Sequence, residues 1–270
     1  MSENRSFVDQ LMGIKGGAIG IKYDAERDRF NMPHSAETSV RKELNANRII
    51  INGSAIAIAS QYPFPHQVEA QLQMMVDNNT PVLIILASST DIQNHQLPEY
   101  FSGTGVFGAI ETQSTFVDYI DLGNDIEAKE FRLSIKGYRE PMSLPVFHVY
   151  TWPDHRTVSP ATTTNLIELI ESRIAEKTAQ PTEGNDGMLP VIHCKAGVGR
   201  TGQTIAALAM KKHPELDLDT ITTDLRASRN DRMIQTPYQM ETLVKMAGEQ
   251  IQEQQQPKKT SRSWFSFFSR

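Results

Sequence analysis

The chain has 270 residues, 39% hydrophobic and 22% charged, an ordinary globular balance long enough to bury a sizeable core in one large domain or two small ones. A single cysteine excludes an internal disulfide framework. Net charge is −5, but residues 257–270 hold four basic side chains and no acid, which leaves the remainder at −9 and argues against broad nucleic-acid binding. No apolar run approaches the roughly 18 residues of a membrane helix, and the start lacks a basic-then-apolar signal peptide, so general secretion is not expected.

Taken in chain order, the first thirteen residues predict a short helix ended by Gly16-Gly17. After a polar stretch from Asp24 to Ser39, Arg48 to Asn52 and Ala55 to Ser60 predict two strands, with Gly53-Ser54 as the hairpin signal. Gln67 to Asp77 has helical spacing, placing Val68, Leu72, Met75 and Val76 on one side. Pro81 to Ala87 is a continuous apolar run, which suits a strand buried on both faces. Val106 to Ile110, Phe116 to Leu122, Ala128 to Lys136 and Leu144 to Thr151 are further strand candidates. Thr162 to Lys177 predicts an amphipathic helix, and Gln180 to Gly187 a polar loop. Thr201 to Lys212, Leu218 to Ala227 and Pro237 to Gln252 predict the closing helices. With no internal repeat, one α/β domain follows: a twisted mixed β-sheet flanked by helices on both sides. The expected division is a helix and lead-in at 1–30, the main domain at 31–252 and a tail at 253–270.

His193-Cys194-Lys195-Ala196-Gly197-Val198-Gly199-Arg200-Thr201 lies between the apolar run Leu189 to Ile192 and a helix. Helix N-termini have unpaired N–H groups and a partial positive charge, so such a loop is a natural anion site. The N–H groups from Lys195 to Arg200 can turn inward, with Gly197 and Gly199 supplying the required backbone angles. The same field favours a thiolate at Cys194. Arg200 can hold two phosphate oxygens in its planar fork. The Thr201 hydroxyl can donate to the sulfur, and His193 can fix the loop and tune the thiolate through its ring N–H.

Residues Gly197 to Gly202 also spell GxGxxG, a dinucleotide-binding signal. That fingerprint needs a second strand ending in an acid about 20 residues on. Here Leu218 to Ala227 reads as helix with Asp224 inside it, and His193-Cys194 would have no role. Thiolate chemistry on a phosphate monoester also needs a carboxylic acid to protonate the leaving oxygen. Trp152-Pro153-Asp154, at the end of a strand-like run, supplies Asp154 on a stiff loop tip. Gln235 and Gln239, four apart at the start of the last helix, fall on one helix face, where an amide can hold a water in line with a phosphocysteine.

The set HCxxGxxRT, WPD and QTxxQ resembles the protein tyrosine phosphatases, in particular the bacterial effector phosphatases that type III secretion injects into host cells. The likeness runs from about Asn31 to Gly248, with support from Leu44 to Asn47, Ala59 to Pro63, Thr80 to Leu83, Leu86 to Ser89 and Pro190 to Cys194. It implies Cys194 as nucleophile, Arg200 as phosphate clamp, Asp154 as general acid and then base, and Thr201 as stabiliser of the departing thiolate. It implies Gln235 as the residue that positions water, with Gln239 as a second amide. Asp91 falls where relatives place a glutamate that pairs with the arginine, and Phe30 where a ring sandwiches the substrate phenol. His155-Arg156 after the WPD triplet and Asp231 at the expected pocket rim depart from the pattern. The resemblance implies phosphotyrosine-containing proteins as partners, a monomer, no metal or cofactor, and delivery to the host cytoplasm. A dual-specificity phosphatase and a non-enzymatic phosphotyrosine-binding module stay open. In the tail, Lys258, Lys259, Arg262 and Arg270 with Trp264, Phe265, Phe267 and Phe268 suit either weak membrane-surface or protein docking, or a disordered end.

Overall fold

The computed structural model describes residues 2–179 and 188–255; the polar loop at 180–187 and the tail at 257–270 lie outside them. Helix α1 (Ser2–Gly13) is followed by β1 (Ala46–Ile51) and β2 (Ser54–Ser60), a 3₁₀ turn at Pro65–Gln67, α2 (Val68–Asp77), β3 (Leu83–Ile85) and α3 (Ser89–His95). Next come β4 (Thr104–Phe107), β5 (Ile110–Asp121), β6 (Glu127–Lys136) and β7 (Met142–Val149). The chain continues through α4 (Pro160–Thr178), β8 (Val191–His193), α5 (Gly199–Lys212), α6 (Leu218–Ser228) and α7 (Pro237–Gln255).

All eight strands join one mixed sheet in the order β1-β2-β8-β3-β7-β6-β5-β4. Strands β2, β8, β3 and β7 run parallel at its centre, and the outer pairs are antiparallel. Successive side chains of the central strands enter opposite cores, as the period of two requires. Leu83, Ile85 and Val191 pack with Val68 and Leu72 of α2, whereas Ile84 and Ile192 pack with Leu166 of α4, Ile205 of α5 and Leu243 of α7. Burying each of these side chains stabilises the fold by roughly 1.5–3 kcal/mol. Helices therefore cover both faces, as the pattern predicted. Helix α5 is buried from Gly199 through Met210, which makes it the axis around which the other helices pack.

Several boundaries differ from the sequence reading. The first hairpin turns at Asn52-Gly53, both with positive φ, so Ser54 already belongs to β2. Val106 to Ile110 is not one strand: β4 ends at Phe107, Gly108 turns with φ +60°, and β5 begins at Ile110. Strand β5 then runs unbroken through Thr112 to Thr115, whose polar side chains gave no apolar signal, because β6 pairs it on one edge and β4 at its start. Helix α3 has no apolar periodicity. It is set instead by a capping box: Ser88 Oγ accepts from the Asp91 N–H at 3.1 Å, and Asp91 Oδ2 accepts from the Ser88 N–H at 3.0 Å. The apolar run 81–87 is buried throughout, but only Leu83–Ile85 pairs as strand.

Candidate active site

Strand β8 ends at His193, and after five intervening residues α5 begins at Gly199, so the connecting loop wraps a cavity of about 300 Å³. Cys194, Lys195, Ala196, Gly199 and Arg200 line it from this loop, with Phe30, Asn31, Met32, Asp154, His155, Arg232, Gln235 and Gln239 around the rest. A larger cleft of about 400 Å³ lies against β4, β5 and β6, but it has no nucleophile beside a cation of this kind.

The loop's shape is held from behind. Gly197 has φ +70°, and a Cβ there would collide with the Ser60 carbonyl, so this position requires glycine. Gly199 has no positive φ, so of the two loop glycines only Gly197 supplies the left-handed angle. Gly202, the last glycine of the GxGxxG pattern, lets α5 approach Ile234, whose N–H donates to the Val198 carbonyl at 3.1 Å. That glycine serves protein packing, which accounts for the pattern without a dinucleotide. Arg229, absent from the sequence reading, is buried beneath the loop and donates to the Gly197 carbonyl at 2.8 Å. It also reaches Asn47 Oδ1 and Asn45 Oδ1, each at 2.8 Å. Burial pulls its pKa down to about 10, yet the guanidinium remains charged at neutral pH.

Burial pushes the Cys194 thiol up, but the Arg200 charge, the Thr201 hydroxyl and N–H, and the Gly197 N–H together bring it below its ordinary value. The Gly197 N–H donates to the sulfur at 3.3 Å. The buried Thr201 hydroxyl has no oxygen or nitrogen partner, which leaves its proton for the sulfur. His193 is fully buried, and desolvation lowers its pKa to about 4, so it is neutral. Its Nδ1 faces the Cys194 carbonyl at 3.2 Å, and a carbonyl only accepts, so Nδ1 carries the proton. Nε2 then accepts from the Tyr100 hydroxyl at 2.7 Å. His193 thus braces the backbone of Cys194.

Arg200 is 1% exposed and fully oriented. Nη1 donates to Asp91 Oδ2 at 2.7 Å and to the Trp152 carbonyl at 2.9 Å, and Nη2 to Asp154 Oδ1 at 2.9 Å. Nε is buried without a partner. The shorter carboxylate at Asp91 reaches Arg200 because the capping box of α3 holds it there. Asp154 sits across the cavity mouth, 2.8 Å from Lys195 Nζ. Burial raises its pKa, but Arg200, Lys195 and His155 outweigh that and lower it below the ordinary carboxylate range. Trp152 is buried and donates from Nε1 to the Arg156 carbonyl at 3.0 Å, closing the loop over itself. His155 takes the left-handed angle, φ +57°.

Two expectations are corrected. Gln235 precedes α7, so it does not share a helix face with Gln239. Gln239 accepts at Oε1 from the Gln235 and Thr236 N–H groups, at 3.0 and 3.1 Å, and donates to the Arg156 carbonyl, so its amide braces the backbone. Asp231 does not line the cavity. Its carboxylate accepts from the Gly16 N–H at 2.8 Å and lies 3.6 Å from Lys15. Arg232, Asn31 and Met32, which no motif marked, line the cavity instead, together with His155 beside the WPD triplet. Phe30 is at the wall, on a segment that Arg29 fastens by donating to the Tyr62 and Pro63 carbonyls, both at 2.7 Å.

A depressed thiol, a buried guanidinium and a carboxylate lining one cavity on a mixed α/β sheet are the groups that thiolate attack on a phosphate monoester needs. The protein-tyrosine phosphatase family profile matches residues 22–249, and the chain belongs to that family. Tyrosine-protein phosphatase YopH of Yersinia pseudotuberculosis serotype I is 37% identical over 223 residues, covering 78% of this chain and 47% of that protein. Secreted effector protein SptP of Salmonella paratyphi A is 32% identical over 239 residues, covering 86% of this chain and 43% of that one. The chain thus spans less than half the length of these relatives. A solved structure from work on PTPN18 and distinct HER2 tyrosine phosphorylation sites superposes with TM-score 0.69 at 18% identity, covering 91% of this chain and 98% of that one, a likeness of fold. Among the described residues no helix is long and apolar enough to cross a membrane.

Proposed function

We propose that this protein hydrolyses phosphotyrosine in proteins through a phosphocysteine intermediate. The observation that carries the reading is Arg200: its Nε is buried and unpartnered while its Nη2 is held only by the Asp154 carboxylate, in the same cavity as a thiol that its charge depresses. A phosphoryl group takes Nε and competes with Asp154 for Nη2. Losing Arg200 raises the proton affinity of Asp154, which is what a general acid requires. The Cys194 thiolate then attacks phosphorus, the P–O bond to the tyrosine breaks, and Asp154 protonates the departing phenolate. In the second step Gln235 positions a water, Asp154 accepts its proton, oxygen attacks phosphorus, and the thiolate leaves with help from Thr201. The backbone N–H groups of Lys195 to Gly199 receive the phosphoryl oxygens, and Gln239 and Asp91 act by holding Gln235 and Arg200. A cavity with Phe30 in its wall favours the long phenyl ester over serine or threonine phosphates.

We also infer the setting: a monomeric effector that a specialised system exports to act on phosphotyrosine proteins of a host cell, in line with the description of SptP as a secreted effector, and a basic, aromatic 257–270 tail that docks weakly to a membrane surface or a protein. The test of the reaction is turnover of matched phosphotyrosine and phosphothreonine peptides. The expected outcome is hydrolysis of the first with little of the second. Comparable rates on both would favour a dual-specificity phosphatase, and binding without turnover a non-enzymatic module.

A further inference from the structure

Lys195 has a position that the phosphatase reading does not use. Its backbone belongs to the phosphate loop, but its side chain turns up to the cavity mouth. Nζ lies 2.8 Å from Asp154 Oδ2 and 3.2 Å from His95 Nε2, the last residue of α3. An ammonium has three protons and no lone pair, so the imidazole must present an unprotonated Nε2 to it. The lysine thereby bridges the end of α3 and the Asp154 carboxylate. We propose that Lys195, oriented by His95, is a positioning residue for Asp154, drawing the acid loop closed over the bound phosphoryl group.

The inference rests on Asp154 acting as general acid. Asp154 faces Arg200 of α5, Lys195 and Cys194 of the phosphate loop and His155 of its own loop. Asp91 of α3 lies on the far side of Arg200, and Arg232 lines the same cavity. When a phosphoryl group occupies Arg200, Lys195 is the cation still bonded to the carboxylate. Without it, Asp154 loses both its anchor and a stabiliser of its charged form. A loose acid matters most when the leaving group is a poor one, since a good leaving group departs without a proton.

The test uses the full chain with a series of aryl phosphates whose phenols span a range of acidity. In Lys195→Met, the fall in kcat should be about tenfold larger for unsubstituted phenyl phosphate than for a dinitrophenyl ester, a fraction of what a whole general acid supplies. The basic limb of kcat/KM should move to higher pH, because the carboxylate holds its proton longer. Lys195→Arg should restore much of both, and His95→Gln, which keeps an acceptor, should perturb them less than His95→Leu. A Lys195→Met defect equal across the leaving groups, with the basic limb unmoved, would overturn the inference and leave the phosphatase reading standing. Wild-type protein inert on every aryl phosphate would sink both.

Discussion

The two halves of the site are held by different forces. The phosphate loop is locked from behind: Arg229 grips its carbonyl, Gly197 presses on Ser60, the Ile234 N–H ties Val198, and neutral His193 backs Cys194. The acid loop is anchored at Trp152 and Arg156, but its working carboxylate is held by charged hydrogen bonds from Arg200 and Lys195 and by the His155 N–H. Buried hydrogen bonds with no competing ligand cost much to break, whereas the ion pairs of Asp154 line the cavity, where a bound anion competes for the same cations. The substrate can therefore rearrange one half while the other stays a fixed mould. A site that must bind a dianion and then move a proton needs both kinds.

The largest effect expected is on the fixed half. Cys194→Ser should lower aryl phosphate turnover by on the order of 10⁴-fold or more, since no other group can form the covalent intermediate. Wild-type turnover in that variant would refute the covalent route. Next, Asp154→Ala should lower kcat by roughly 10²- to 10⁴-fold while leaving the fixed half able to bind. Phosphotyrosine peptides should then be retained by the variant on a column; release as fast as from wild type would mean that the two halves are not separable.

Arg229→Met attacks the lock without touching the cavity. It leaves the Gly197 carbonyl and the side chains of Asn45 and Asn47 with lost partners, so stability should fall by about 2–4 kcal/mol in urea unfolding. A loss within 0.5 kcal/mol would show that this lock is dispensable.

The most graded effect is that of acid. Burial depresses His34, His148 and His193 to about 4 in the folded chain. Unfolded imidazoles titrate near 6.5, so between about 6.5 and 4 the unfolded state binds protons that the folded state does not. Stability should fall as pH drops through that window, by about 1 kcal/mol per pH unit for each histidine at most. His193 backs the phosphate loop, and His34 contacts Asn47 in the Arg229 network, so the loss falls on the fixed half. Urea midpoints constant from pH 7 to pH 4.5 would contradict this.

Sequence reading recovered what lies in contiguous stretches. The nucleophile, its arginine and the glycine that bends between them fit within seven residues, so backbone geometry alone brings them together. Period-two apolar runs and amphipathic helices likewise identified the layered α/β architecture, and the WPD triplet identified its aspartate. Polar elements escaped, because β5 through Thr112 to Thr115 and the capped α3 have no apolar rhythm to read. The partners of the loop escaped for another reason. Arg229 and His95 meet it across 32 and 100 residues of chain, and a buried arginine looks like any surface residue until packing encloses it. Asp91, 109 residues from Arg200, came into view only through the family resemblance. Tertiary structure also turned Asp231 away from the cavity and put Gln239 onto backbone, since which way a polar side chain faces depends on the donors nearby. The sequence by itself thus determined the chemistry available at Cys194 and Arg200. The fold alone decided how Asp154 is held, because that depends on charges brought together from separate elements.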